Sequence, residues 1–394
     1  MDIKKLTDCC MEISQNRLNI INNVDIIEME GEDDLLFDSP ITSKILDDDN
    51  KETIKILTNF FKEEYLELLR FVTPFFSNRR CKTSSLSDTD GFLILLFYFK
   101  YYENIAFLSV HFKIPSSIIN AKIKKLILLL KEPLVNNFIK EISYRQQKRE
   151  NMLLEDYPEV IGIIDCTVQI INKPKLSYKD SKKYYSKKHQ CYCLKKETLH
   201  SLNGICTSVS SYELGATHDY TIFKQNIQKF KNYVKKSQDE LALEDNGELN
   251  EVFPFEWALM MDKGYLGSNK IIRSIHPSKK QQNKELDRDT KIRNNKIAKN
   301  RIIIENYYGR LKTLWNITSR PYKCNHDTYD DYFDICVALT NYNIINNPLR
   351  DNDGEIYKKI LALYNKQDED IKKRQREHQI KYRDNLKVKI GLDS

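Results

Sequence analysis

Apolar residues recur at helical spacing between Lys51 and Phe76, at Ile54, Ile56, Leu57, Phe60, Phe61, Tyr65 and Leu68, and predict one amphipathic helix. A helical block follows. Ser87-Asp88-Thr89-Asp90 predicts the cap of a helix through Phe92–Tyr102. Asn104–Phe112 reads as a second helix and Lys113-Ile114-Pro115 as a turn; Ser116 or Ser117 caps a third helix over Ile118–Lys131. After a charged helix (Lys140–Met152) and Tyr157-Pro158 the texture changes. Short apolar runs at Val160–Ile164, Val168–Ile171, Leu202–Val209 and Trp257–Met261 predict strands. Tyr220–Val234 reads as helix, Lys235–Glu251 as a polar, acidic loop, and Ser268–Ile275 as a short helix. A helix of strong pattern runs from about Arg288 to Trp315. Strands alternating with helices predict an α/β region, a sheet flanked by helices, behind an all-α region.

Charge sharpens the helical part. Helix, three-residue turn and a helix bearing Lys122, Lys124, Lys125 and Lys131 is the helix-turn-helix pattern, in which the last helix enters the major groove. A solvated basic face on any three-helix unit looks the same. Between Asp25 and Asn50 ten acids stand against one base, so that segment's net −9 leaves +16 for the remainder of a chain whose total is +7. A basic body suits a polyanionic partner, because neutralising phosphates releases counterions. The nine cysteines are odd in number and form no CxxC pair, which predicts reduced thiols inside the cell. His189, Cys191 and Cys193 lie close together, but no second ligand pair stands at zinc-finger spacing. No apolar run approaches the roughly 20 residues that span a bilayer, and no signal-peptide core opens the chain.

The candidate chemistry lies where strands end. Ile163-Ile164-Asp165-Cys166-Thr167 and Met260-Met261-Asp262-Lys263-Gly264-Tyr265 each place an acid at the close of an apolar run. Neighbouring strands ending at one edge bring such carboxylates together, and two ionised carboxylates in contact call for a compensating cation. Hard oxygen ligands suit Mg²⁺ or Mn²⁺. Arg301-Ile302-Ile303-Ile304-Glu305 adds a third acid on a helix, with Lys312 seven residues further on the same face. Taken singly, each Asp also reads as a strand-end turn residue, and Arg301–Glu305 as an ordinary helix pair.

Together these residues resemble the Harbinger-type DDE transposases and the nucleases derived from them, over about Val160 to Pro348, with a weaker helix-turn-helix match at Leu86–Leu134. The first acid of that family falls on Asp165, followed by Cys-Thr. The second, in an Asp-x-Gly-Tyr turn, falls on Asp262, and the third, in Arg-x3-Glu-x6-Lys, on Glu305 between Arg301 and Lys312. Tyr184-Tyr185-Ser186-Lys187-Lys188 and Gly215-Ala216-Thr217-His218-Asp219 match two further landmarks. Two departures stand out. Ala298 replaces the tyrosine that related enzymes carry before the arginine, and Gln238–Val252 makes a longer loop.

The resemblance implies an RNase H-like catalytic core over 155–350, preceded by a helix-turn-helix domain over 51–150; composition and charge make 1–50 an acidic arm and 351–394 a charged helical tail. It implies two Mg²⁺ or Mn²⁺ ions on Asp165, Asp262 and Glu305, and DNA as the substrate. Lys187, Lys188, His189, Arg301 and Lys312 become candidate DNA contacts, alongside Lys122, Lys124 and Lys125. Asp219 is either a turn residue or an accessory acid. A homodimer or higher oligomer on DNA, a Myb-like accessory protein and a nuclear location follow from the same resemblance, and Lys372-Lys373-Arg374-Gln375-Arg376 is a candidate nuclear signal. The competing reading is a domesticated, catalytically silent DNA-binding or scaffold protein.

Overall fold

The computed structural model describes residues 39–47, 52–76, 86–280 and 286–359, with isolated positions at 36, 362, 377 and 380. The expected acidic arm and charged tail therefore lie largely outside the described residues, as do Cys9, Cys10, Cys81 and the basic run from Lys372 to Arg376.

Helices open the described chain. After α1 (Pro40–Leu46), the single helix expected over 51–76 is two, α2 (Thr53–Thr58) and α3 (Lys62–Val72). Asn59, left-handed at φ 74°, ends α2, and extended Phe61 starts α3. α4 (Asp88–Tyr101) begins at the expected cap, with Asp90 N–H donating to Ser87 Oγ at 3.0 Å. α5 (Ile105–Phe112) is joined by a turn at left-handed Lys113 to α6 (Ser116–Phe138), which runs past Lys131 and through Pro133. Of the expected charged helix only α7 (Tyr144–Arg149) is helical.

The sheet region begins with β1 (Val160–Ile170), one strand where two apolar runs stand in the sequence. Then come α8 (Tyr178–Ser181), β2 (Tyr185–Ser186), β3 (Cys191–His200), β4 (Cys206–Val209) and β5 (Glu213–Leu214). The helix expected over Tyr220–Val234 breaks into α9 (Asp219–Gln225) and α10 (Ile227–Val234). β6 (Ala258–Met260) and β7 (Ser274–Ile275) follow, so the segment read as a helix over Ser268–Ile275 holds a 3₁₀ turn and a strand instead. α11 (Arg288–Leu314), α12 (Asn316–Ser319) and α13 (Tyr329–Asn346) close the fold.

β3, β1, β6 and β7 lie side by side in that order. β1 is antiparallel to β3 and parallel to β6, and β6 is parallel to β7. Three short strands, β2, β5 and β4, share the other edge of β3. β1 and β6 are buried, which is why their sequences are continuous apolar runs without alternation.

One buried cluster joins the N-terminal helices to the sheet region. Phe92, Leu95 and Phe99 of α4 and Leu126 and Leu130 of α6 belong to it, with Tyr307 and Leu311 of α11, Trp315, and Ile335 to Leu339 of α13. α13 is buried on nearly every side, as a helix apolar all round must be. Asn341 ties the layers. Its Nδ2 donates to Phe138 O and Cys206 O, both at 2.7 Å, while its Oδ1 accepts from Cys206 N–H and the Tyr307 hydroxyl, both at 3.1 Å. Asn341→Ala strands several buried polar groups, each costing about 1–3 kcal/mol when unpaired. The expected outcome is a loss of roughly 2–4 kcal/mol in urea denaturation, without loss of secondary structure in the intact protein.

Candidate active site

β1 and β6 run parallel in the register Ile163 opposite Met260. Two residues further along each chain stand Asp165 and Asp262, so the acids leave neighbouring strands side by side. Asp262 leads directly into a 3₁₀ turn over Lys263–Tyr265, in which Tyr265 N–H donates back to its carbonyl at 3.0 Å. Arg301 reaches in from α11. Its NH2 donates to Asp165 Oδ2 at 2.9 Å and its NH1 to Asp262 Oδ1 at 3.0 Å, so one guanidinium spans both carboxylates. Burial pushes the Asp165 carboxyl up to about 6; Arg301 and the Cys166 N–H oppose that rise, and Asp262 adds to it.

Helical geometry aligns Arg301, Glu305, Tyr308 and Lys312 along one stripe of α11. Three of the four meet β1. Besides Arg301, the Tyr308 hydroxyl donates to Asp165 O at 3.0 Å, and Lys312 Nζ donates to Val168 O at 3.3 Å. Lys312 is half-buried, and burial brings its ammonium down to about 8. Glu305 is the member that turns outward: its side chain is 47% exposed and its Oε2 lies 2.8 Å from Lys358 Nζ. Asp165 and Asp262 are thus brought together, while Glu305 shares the Arg301 stripe of α11 with its carboxylate paired to Lys358. Among the described residues no group of three or more His, Cys, Asp or Glu is placed to hold a metal ion.

Asp219 opens α9 and is buried beside the turn carrying Asp262; a Cβ on Gly264 would lie 3.0 Å from its Oδ2. Lys195 Nζ approaches its Oδ1 to 2.9 Å and Lys188 Nζ its Oδ2 to 3.6 Å. Burial disfavours its charge, but the lysines outweigh burial and hold the carboxyl below its ordinary value. Lys187, Lys188 and His189 are exposed on the turn between β2 and β3. Burial, then Lys188 and Lys195, lowers the His189 pKa.

In the helical region the three candidate lysines separate. Lys122 is buried with its Nζ 2.6 Å from Asp88, and Lys125 lies 2.9 Å from the same carboxylate. Lys124 is exposed. A Cβ on Gly91 would lie 2.5 Å from Lys122 Cγ, so glycine there makes room for the lysine stem.

Several residues of the site escape sequence reading. Glu197 lies in β3 opposite Cys166 and accepts from Asn226 Nδ2 at 3.0 Å. It is 1% exposed. Burial pushes it up to about 8; the Asn226 hydrogen bond and the nearby Tyr265 hydroxyl oppose the rise, while Asp219 and Asp165 add to it. Lys195-Lys196-Glu197 looks like surface in the sequence, and only the strand pairing of β3 with β1 places it inside.

Residues 164–341, just under half of the chain, match the DDE superfamily endonuclease family. The chain is also similar to a protein described as a probable transposase for insertion sequence element IS702 from Microchaete diplosiphon, at 26% identity over 213 residues. That alignment covers 53% of this chain and 66% of the relative, a little short of two thirds of its length. No solved structure matches the chain.

The raised Glu197 value carries a pH signature. Between its ordinary 4.5 and about 8 the folded protein binds the Glu197 proton more tightly than the unfolded chain, so stability falls as pH rises through that window. Glu197→Gln is expected to flatten this fall and to be more stable than wild type at alkaline pH by roughly 2–5 kcal/mol. Denaturation in metal-free buffer across the window measures it; parallel pH profiles for the two proteins would refute the assignment.

Proposed function

We propose that this chain is a transposase or transposase-derived endonuclease that cuts DNA phosphodiester bonds, with Asp165, Asp262 and Glu305 as its metal-holding acids. The observation that carries the reading is the pair of strand-end carboxylates sharing the Arg301 guanidinium, on the same helix that bears Glu305. The similarity to DDE superfamily endonucleases and to a transposase supports it.

The donor set fits hard divalent cations at two of its three positions. Asp165 and Asp262 converge on Arg301 through one oxygen each, so a cation there would share or displace that guanidinium, and Glu305 would rotate away from Lys358 to join them. When bound, Mg²⁺ or Mn²⁺ ions supply Lewis acidity at the phosphodiester and an activated water. The chain's own residues do the remaining work. Arg301 balances the two strand-end charges and holds both carboxylates in place. Tyr308 fixes the Asp165 backbone through its carbonyl. Lys187, Lys188 and His189 form an exposed basic turn at the edge of the site, suited to backbone phosphates.

The order β4-β3-β1-β6-β7, with β3 antiparallel and β6 and β7 parallel to β1, supports an RNase H-like core over 155–350. α5, its turn and α6 support a helix-turn-helix unit in the region 51–150, with Lys124 as its exposed basic contact. The Harbinger subtype, a homodimer or larger assembly on DNA, a Myb-like partner and a nuclear location complete the proposal and rest on the sequence resemblance. A second reading, a catalytically silent DNA-binding protein, draws on the engagement of Glu305 by Lys358.

The test is nicking of supercoiled plasmid with Mg²⁺ or Mn²⁺. Asp165→Asn, Asp262→Asn and Glu305→Gln are each expected to lose cleavage by about three orders of magnitude while still binding DNA. Full nuclease activity in Asp165→Asn would sink the proposal, and a folded wild-type chain that cuts nothing favours the silent reading.

A further inference from the structure

Past Pro348 the chain turns back over α11, and residues 353–359 are helical. Matched polar groups dock this segment. Arg310, 9% exposed, donates to Asp353 Oδ2 at 2.7 and 3.2 Å and to the carbonyls of Asn347 and Pro348 at 2.8 and 3.2 Å. Asn306 accepts from Gly354 N–H at 3.0 Å and donates to Asp351 O at 3.2 Å. Gly309 permits the close approach, since a Cβ there would lie 2.5 Å from Asp353 O. The segment lies beyond the residues that match the endonuclease family.

Docked this way, the segment sets two side chains on the functional stripe of α11. Lys358 Nζ stands 2.8 Å from Glu305 Oε2, and the Tyr357 ring centre lies 5.6 Å from Lys312 Nζ. Glu305 sits between Arg301 and Tyr308, both of which reach Asp165. Of the three acids it alone is paired outside the Arg301 bridge.

We propose that Lys358 is a positioning residue, an ion-pair latch that holds Glu305 turned away from Asp165 and Asp262 and competes with the divalent cation for its carboxylate. The inference rests on the function proposed above. Lys358 occupies Glu305 Oε2, and its positive charge disfavours a second cation at the same carboxylate. With side chains 67% and 47% exposed, the Lys358–Glu305 pair is weak and open to salt, as a releasable contact must be. An incoming DNA phosphate offers Lys358 another anion and so frees Glu305.

Mn²⁺ binding to the full chain without DNA, followed at low salt by the electron paramagnetic resonance of free Mn²⁺, tests this. Lys358→Ala is expected to bind Mn²⁺ about two- to five-fold tighter than wild type, the scale of an exposed ion pair. Lys358→Arg should restore the wild-type value. The gain should vanish in a Glu305→Gln background and shrink at roughly 0.5 M salt. Equal affinity of Lys358→Ala and wild type, with binding lost in Asp165→Asn, overturns the latch and leaves the proposed function standing. Mn²⁺ binding unchanged by Asp165→Asn, or absent from the wild-type chain, overturns both.

Discussion

Two carboxylates that leave adjacent parallel strands side by side repel one another, and the folded chain answers that repulsion with the Arg301 guanidinium. The parallel register of β1 and β6 creates the problem, because it aligns Asp165 with Asp262. α11 supplies the answer, because it lies along β1 with Arg301, Tyr308 and Lys312 all contacting that strand. The site is therefore a junction of two strands and one helix. Its geometry depends on α11 keeping its position against the sheet.

Elsewhere in the fold, charge matching joins elements alongside apolar packing. Lys196 is fully buried, and its Nζ stands 2.7 Å from both Asp330 and Asp334 at the start of α13. Arg273, also fully buried, pairs with Asp245, which Lys236 approaches to 2.6 Å. Arg310 binds Asp353 from within α11. A buried pair adds little net stability over an apolar substitute, but removing one partner leaves an uncompensated charge. Such pairs fix which element faces which. α13, meanwhile, provides the apolar bed against which α4, α6 and α11 settle.

The same rule separates the three acids. Asp165 and Asp262 are held by a group that is itself buried, whereas Glu305 is held by an exposed lysine on the returning C-terminal segment. Strong constraint on two acids and weak constraint on the third give the site one adjustable member. Asp219, clasped by Lys195 and Lys188 next to the Asp262 turn, lies at the edge of this arrangement and links the basic turn after β2 to it.

Local chemistry alone settles much of this protein. Apolar runs ending in Asp165 and Asp262, the Ser87 cap and the long helix carrying Arg301 and Glu305 are legible because continuous burial, capping and helical spacing each leave a pattern in the sequence. The elements that stay hidden lack such a pattern. β3 is buried yet carries Lys195, Lys196 and Glu197: the two lysines pair with carboxylates distant in the chain, and Glu197 accepts from Asn226. α13 is buried almost all round and so shows no polar face to set its period. Lys122 and Lys125 look like a solvated basic face, and only the approach of Asp88 from α4 buries the first and pairs with the second. The three acids, finally, stand in the sequence, but their relation does not. Strand register aligns two of them, and the return of residues 348–359 over α11 brings Lys358 to the third, because long-range contacts alone set those distances.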